Sequence, residues 1–304
     1  VIGIDGGGTK TNALLVGLDG TVATEATTGS TQIQTIGVKE AAHVLFDLIF
    51  TCCQQGACTA DAIQSVILGV AGAGRASDRN DLMSILQTLS SKKKFPLKNI
   101  IVETDARISL EAAFAGGPGI IVIAGTGSIA LYRNEDGKIL RTGGWGKILG
   151  DEGSGFSIGR DALNAVMRQH DNRGVNTELT KKALSHFQVS TIDDLIQKIY
   201  NGSADIASFA PRVCEAAVAF DHIAHSVLVK NASELMEHVR VLIMQSRPKK
   251  KLPVALMGGM LESDTIYSKM VREKIINSLP NVVVQKQKFP AAFGAAIIGL
   301  NAFK

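Results

Sequence analysis

A unit of strand, small-residue loop, strand, Asp-Gly turn and strand occurs twice in this chain, with the copies beginning about 120 residues apart. In the first copy, Val1 to Asp5 reads as a short buried strand and Gly6-Gly7-Gly8-Thr9-Lys10-Thr11 as its loop. Asn12 to Gly17 is the second strand, Leu18-Asp19-Gly20-Thr21 the turn, and Thr21 to about Thr27 the third strand. The second copy runs Ile120–Ala124, Gly125-Thr126-Gly127-Ser128, Ile129–Arg133, Glu135-Asp136-Gly137-Lys138 and Lys138–Thr142. Asp-Gly between β-rich runs is a strong hairpin signal. The offset from loop end to turn is eight residues both times, Thr11 to Asp19 and Ser128 to Asp136. Such a period is too long for a solenoid. It predicts two similar α/β lobes, each opening with a three-strand meander.

The rest of the chain fits that frame. Apolar spacing at Val38, Ala42, Leu45, Ile49 and Cys52 predicts a helix to about Gln54, followed by a buried strand, Ser65–Val70. A helix over Arg79–Leu89 and a strand over Asn99–Val102 lead to Glu103-Thr104-Asp105, then to a helix over Ala106–Ala115 that stops at Gly116-Gly117-Pro118. Five helices are expected next: Gly159–Gln169, Thr177–Ser185, Ile192–Tyr200, Ala204–Ala219 and Ala232–Ser246. The strand Pro253–Met257 closes on Gly258-Gly259. A helix over Thr265–Leu279, a strand over Val282–Val284 and a final helix over Pro290–Phe303 complete the chain. The expected division is residues 1–115 plus the returning helix 290–304 as one lobe and 116–289 as the other. Gly116, Gly117 and Gly119 are hinge candidates.

Composition excludes several classes. Thirteen of the 31 glycines fall between Gly116 and Gly159, which is not a collagen period, and 45% apolar residues exclude a disordered chain. A net charge of +4 argues for neither nucleic acid nor a membrane surface, and the runs Lys92–Lys94 and Lys249–Lys251 read as solvated loops. Cys52, Cys53, Cys58 and Cys214 form no C-x-x-C pair and fit a reducing compartment. His222 and His225 share a helical face but lack a third ligand nearby, so a surface helix is expected there. No apolar run approaches a membrane span, and the chain starts in a strand-like run rather than a signal peptide. A cytoplasmic protein is expected, with the oligomeric state left open, a homodimer included.

The loops carry the chemistry. Gly7 and Gly8 let backbone N–H groups approach an anion, and Thr9 and Thr11 add hydroxyls. A carboxylate just before them, Asp5, can orient the hydration shell of a Mg²⁺ on the same phosphates. A purely structural hairpin is the competing reading. Gly125-Thr126-Gly127-Ser128 is the equivalent loop of the second copy, and two such loops facing each other across a cleft can grip a polyphosphate. Asp105, at a strand end, is either the N-cap of its helix or a base. Asp151-Glu152 is either a helix start or part of a polar site beside Trp145, the only Trp of the chain.

Taken in order, the Asp-Gly-Gly-Gly-Thr loop, the Gly-Thr-Gly-Ser loop and the late Gly-Gly turn resemble the actin, sugar-kinase and heat-shock-chaperone ATPase superfamily. Within it, Asp5–Thr11 and Gly143-Gly144-Trp145-Gly146-Lys147-Ile148-Leu149-Gly150-Asp151-Glu152-Gly153-Ser154-Gly155 are similar to the BadF/BadG/BcrA/BcrD ATPase family, whose N-acetylglucosamine and glucosamine kinases come nearest. The resemblance implies a duplicated ribonuclease-H-like, actin-like two-lobed fold with nucleotide and sugar in the cleft between the lobes. It implies transfer of the γ-phosphoryl group of ATP, with Mg²⁺, to an amino-sugar hydroxyl, by family likeness the 6-OH. Carried over, Asp5 organises Mg²⁺ through water. Gly7, Gly8, Thr9, Lys10, Thr11, Thr126 and Gly127 line the phosphates, and Gly258 and Gly259 the adenosine. Asp105 is the base, and Gln32, Ser128, Trp145 and Asp151 contact the sugar. Gln32 stands where the family's amino-sugar kinases usually carry Asn, which leaves the preferred hexosamine open. Two alternatives are an activator ATPase of a 2-hydroxyacyl-CoA dehydratase type, which needs cluster-holding cysteines, and a non-catalytic sugar sensor. The presence of Asp105 weighs against the sensor.

Overall fold

The computed structural model describes residues 1–303 apart from 247 and 249. Lys249 of the second lysine run and Lys304, at the end of the expected last helix, lie outside the described residues. Among the described residues, ten strands form two five-stranded sheets. The first holds β1 (Ile2–Gly6), β2 (Thr11–Val16), β3 (Val22–Thr28), β4 (Val66–Val70) and β5 (Ile100–Thr104), in the order β3-β2-β1-β4-β5. The second holds β6 (Gly119–Ala124), β7 (Ser128–Arg133), β8 (Ile139–Gly143), β9 (Leu252–Met257) and β10 (Val282–Gln285), in the order β10-β9-β6-β7-β8. In each, the first three strands are antiparallel and the last two join in parallel, so one topology is used twice. The register aligns the two copies at their loops, which span four residues in the first and three in the second. Gly6 pairs with Thr11 and Ala124 with Ser128, so Thr11 and Ser128 open the second strand of their own copies.

The chain divides into two units: Val1–Pro118 with the segment from Lys286 onward, and Gly119–Gln285. These borders lie three and four residues from the expected ones, 115/116 and 289/290. The segment ahead of the last helix is drawn into the first unit because Lys288 and Phe289 donate their N–H groups to the carbonyls of Ala113 and Ala112, at 3.3 and 3.2 Å.

In the first unit the β1 side chains alternate between two faces. Ile2 and Ile4 join Leu45, Ile49 and Leu86 of the helices Val38–Gln55 and Ala76–Lys92. The opposite face is covered by the helices Asp105–Phe114 and Ala291–Asn301. The last helix can lie this close to β1 because Gly3 has no side chain: a Cβ there would stand 2.2 Å from the Ala292 carbonyl oxygen. In the second unit a large core joins Ile120, Val122, Ala130 and Val254 of the sheet to the helices Gly155–His170, Ala210–Val218, His222–Ser246 and Ile266–Ser278.

The helical half departs from expectation in several places. The helix expected at Ala232 begins at His222, because the Asp221 carboxylate accepts the N–H groups of Ile223 and Ala224 at 2.9 and 2.8 Å. His222 and His225 are exposed on it. The helix expected over Ala204–Ala219 is instead a 3-10 turn, Ala207–Phe209, and a helix, Ala210–Val218, with Pro211 in the first turn, where its missing N–H costs nothing. Helix Gly155–His170 starts earlier than its periodicity indicates because Ser154 caps it, accepting the Ser157 N–H at 3.1 Å. Lys92 ends a helix rather than lying in a loop. The four-residue helices Ile33–Ile36 and Gly259–Glu262 are too short to show a period. Among the described residues, no helix is long and apolar enough to cross a membrane.

Candidate active site

The first loop leaves the sheet after Gly6 and re-enters it at Thr11. Gly7 donates its N–H to the Lys10 carbonyl at 3.1 Å, and its own carbonyl accepts from Thr31. No hydrogen bond among the described residues engages the N–H groups of Gly8, Thr9 or Lys10, all of which are exposed. Three backbone donors with no partner, on an exposed loop, are free to bond an anion. Thr11 is placed differently. It is fully buried and its hydroxyl meets that of Thr31 at 2.9 Å, so it fastens the loop base to the segment ahead of helix Ile33–Ile36. Gln32 precedes that short helix, its side chain making no capping bond, and rests on the loop: a Cβ on Gly8 would stand 2.9 Å from Gln32 Oε1.

The second unit repeats the device with a carboxylate. Its loop turns in three residues, with Gly125 N–H donating to the Gly127 carbonyl at 2.9 Å. Asp151 lies over Gly127, where a Cβ would stand 3.0 Å from Oδ2, and its Oδ1 accepts the Ser128 N–H at 3.3 Å. The Ser128 hydroxyl is buried and donates to the Glu152 carbonyl at 2.6 Å. Thr126 is exposed at the tip. The Gly125 and Thr126 carbonyls accept the N–H groups of Gly155 and Phe156, at 2.8 and 3.2 Å, which fixes the loop against the start of helix Gly155–His170. In each unit, then, a residue expected at the sugar leans on the glycine of a residue-poor loop.

Asp5 and Asp105 belong to the same sheet. Asp5 is the penultimate residue of β1, and Asp105 immediately follows β5, with β4 between the two strands. Burial pushes the Asp5 carboxyl up to about 6, and the Asp105 carboxylate adds to the effect. Asp105 keeps an exposed edge, yet the protein around its carboxyl desolvates it and raises its pKa, against the Ala106 N–H bond that lowers it. The helix cap turns out to be Thr104, whose hydroxyl accepts the Arg107 N–H at 3.1 Å. Asp105 is therefore the first helical residue, and its one local bond, from Ala106 N–H at 2.9 Å, leaves acceptor capacity free.

Sequence reasoning missed Asn12. It pairs with Asp5 across β1 and β2, and its buried Oδ1 has no partner. A buried oxygen without a donor is costly, and this one stands on the residue paired with the desolvated Asp5. Hard oxygen donors of this kind suit Mg²⁺. An amide on a strand beginning with a threonine is the only trace of this in the sequence.

From Gly144 to Ser154 the chain has no strand or helix, and Gly144, Gly146, Asp151 and Gly153, like Gly143 at the end of β8, have positive φ. Arg141 holds its start, bonding the Gly143 and Gly144 carbonyls and lying over the Trp145 ring at 4.2 Å. Trp145 is 65% exposed, so its other ring face is open. Gly258 is required by packing: its φ is +87° and a Cβ would stand 2.5 Å from the Ala124 carbonyl oxygen, at the end of β6. Gly259 faces open space. Cys52, Cys53 and Cys214 are buried, and burial lifts their thiols to about 11, 12 and 11, which suits packing residues rather than cluster ligands.

The chain belongs to the BadF/BadG/BcrA/BcrD ATPase family, whose model matches residues 2–299. It is 34% identical to an N-acetylmuramic acid/N-acetylglucosamine kinase of Clostridium acetobutylicum, covering 98% of this chain and 97% of that one. It is 30% identical to an N-acetyl-D-glucosamine kinase of Dictyostelium discoideum, covering 100% and 98%. The crystal structure of a candidate N-acetylglucosamine kinase from Chromobacterium violaceum superposes with a TM-score of 0.75 at 27% identity, covering 98% of each chain. The two-unit α/β architecture with a duplicated sheet is the actin-like ATPase fold.

Proposed function

We infer that this chain is an ATP-dependent amino-sugar kinase, acting on N-acetylglucosamine or a close relative and phosphorylating its 6-OH. The observation that carries the reading is the Asp5–Asp105 pair at the ends of β1 and β5, next to a loop with three unengaged N–H groups. Full-length kinase relatives support it. In this reading the loops Gly7–Lys10 and Gly125–Gly127 bind the phosphates, with the buried Thr11 anchoring the first loop rather than contacting them, and the turn at Gly258-Gly259 binds the adenosine. Asp5 and Asn12 would hold the water shell of Mg²⁺, which when bound supplies charge neutralisation for the triphosphate. The Asp105 carboxylate accepts the proton of the sugar hydroxyl as that oxygen bonds to the γ-phosphorus. The bond from the γ-phosphorus to the β,γ-bridging oxygen breaks, and ADP leaves. A carboxylate raised above its ordinary range takes a proton more readily, which suits a base that operates only as the hydroxyl attacks. Trp145 offers a ring face to the C–H side of a pyranose, while Asp151 and Gln32 meet its hydroxyls.

ADP release measured over a panel of hexoses and hexosamines tests the proposal. Turnover stimulated by N-acetylglucosamine, glucosamine or N-acetylmuramic acid is expected. Absence of stimulation by any of them would favour a non-catalytic sensor.

A further inference from the structure

The loop that carries Trp145 and Asp151 is glycine-rich and has positive φ at four positions, so its own sequence gives it little reason to hold one shape. Its far end is held at one residue from two sides. The Gly153 N–H donates to Asn231 Oδ1 at 3.2 Å, and the Gly153 carbonyl accepts from the Tyr267 hydroxyl at 2.6 Å. Both side chains are almost completely buried, and they come from separate helices, His222–Ser246 and Ile266–Ser278. Asn231 is fixed in turn, its Nδ2 donating to Asp161 Oδ2 at 3.1 Å and to the Val227 carbonyl at 3.0 Å. Gly153 itself fits tightly: its φ is +78°, and a Cβ would stand 2.4 Å from Leu235 Cγ. Two residues earlier, Asp151 is itself left-handed at φ +59° and lies over Gly127.

We propose that Tyr267 and Asn231 are positioning residues for the sugar, acting through Gly153 to hold Asp151 and Trp145 in place. The inference rests on the assignment of those two residues as sugar contacts. Neither positioning residue touches substrate. A buried tyrosine whose hydroxyl ends on the Gly153 carbonyl fixes the peptide unit after Gly153 to helix packing, and the asparagine, accepting the Gly153 N–H, fixes the peptide unit before it.

Tyr267→Phe tests this with the ring retained. Losing one buried hydrogen bond corresponds to about a tenfold effect. The KM for N-acetylglucosamine should rise about tenfold, the KM for ATP should move much less, and circular dichroism should show an unchanged fold. Trp145 is the only Trp, so its time-resolved fluorescence anisotropy in the substrate-free protein reports on this loop alone. It should show faster local motion in the variant. Asn231→Ser removes the other arm and should give the same pattern; it carries the test if Tyr267→Phe does not fold. A lowered Tm with unchanged sugar KM and unchanged Trp145 anisotropy would overturn the proposal and leave a purely structural bond. If the wild-type protein turns over no amino sugar, the kinase reading fails instead, and the anisotropy comparison still judges the clamp.

Discussion

Asp5→Asn should make the substrate-free protein more stable, and only at the pH where Asp5 is ionised. Burial, with a smaller contribution from Asp105, raises its carboxyl from 3.8 to about 6. Folding therefore favours the protonated form. The stability tied to that proton is fully present below the unfolded value and is lost as pH rises through about 6. A shift of about two units corresponds to a ceiling of about 3 kcal/mol at ~1.4 kcal/mol per unit. Asp5 is only partly enclosed, and solvent screening roughly halves this figure, to about 1.5 kcal/mol. Asparagine has nearly the same shape and no charge, so it escapes the penalty. Urea denaturation of both proteins at pH 4 and pH 8, without nucleotide, measures the difference. The variant should gain on the order of 1.5 kcal/mol over wild type at pH 8 and only a small fraction of that at pH 4. It should also lose the Tm increase that Mg²⁺ and ATP together give the wild type. A variant equally or less stable at pH 8, or a difference independent of pH, would show that Asp5 is not a strained carboxylate and would remove the physical reason for placing a cation beside it.

Asp105→Asn should retain sugar binding by calorimetry while kcat falls on the order of 10²- to 10⁴-fold; near-normal ADP release would exclude Asp105 as the base. Thr104→Ala deletes the hydroxyl that accepts the Arg107 N–H, and should cost about 1 kcal/mol in a thermal or urea melt. No loss would mean that Asp105 caps the helix after all. Gly127→Ala puts a methyl where the Asp151 carboxylate rests, at 3.0–3.2 Å, and should raise the sugar KM about tenfold, or ~1.4 kcal/mol. An unchanged KM would separate Asp151 from sugar binding.

Reading the repeat located both sheets because period-two apolar runs and Asp-Gly turns are local signals, and β1–β3 and β6–β8 are formed by neighbours in sequence. Two of the boundaries missed have a side chain as their cause. Asp221 extends a helix by ten residues, and Pro211 divides another. Whether Thr104 or Asp105 caps its helix depends on which oxygen reaches an N–H three residues on, and both residue types are competent caps.

The sequence alone determined that the chain is two copies of one α/β plan, that each copy has a residue-poor loop fit for phosphate, and that carboxylates stand at strand ends nearby. Those facts are local, and a glycine, a turn residue or an apolar period announces them within a few positions. Tertiary structure decided what each of those groups can do. Asp5 and Asp105 are a hundred residues apart, and only the sheet order β1-β4-β5 brings the Asp105 carboxylate close enough to raise the Asp5 pKa. Asn12 acquires its unpartnered oxygen from burial, which no spacing records. Gln32 and Asp151 read in sequence as sugar contacts, and packing sets both against the glycine loops, at Gly8 and Gly127. Gly153 is held by side chains 78 and 114 residues away. Charge, burial and hydrogen-bond partnership depend on distances through space, and the chain acquires those only when it folds.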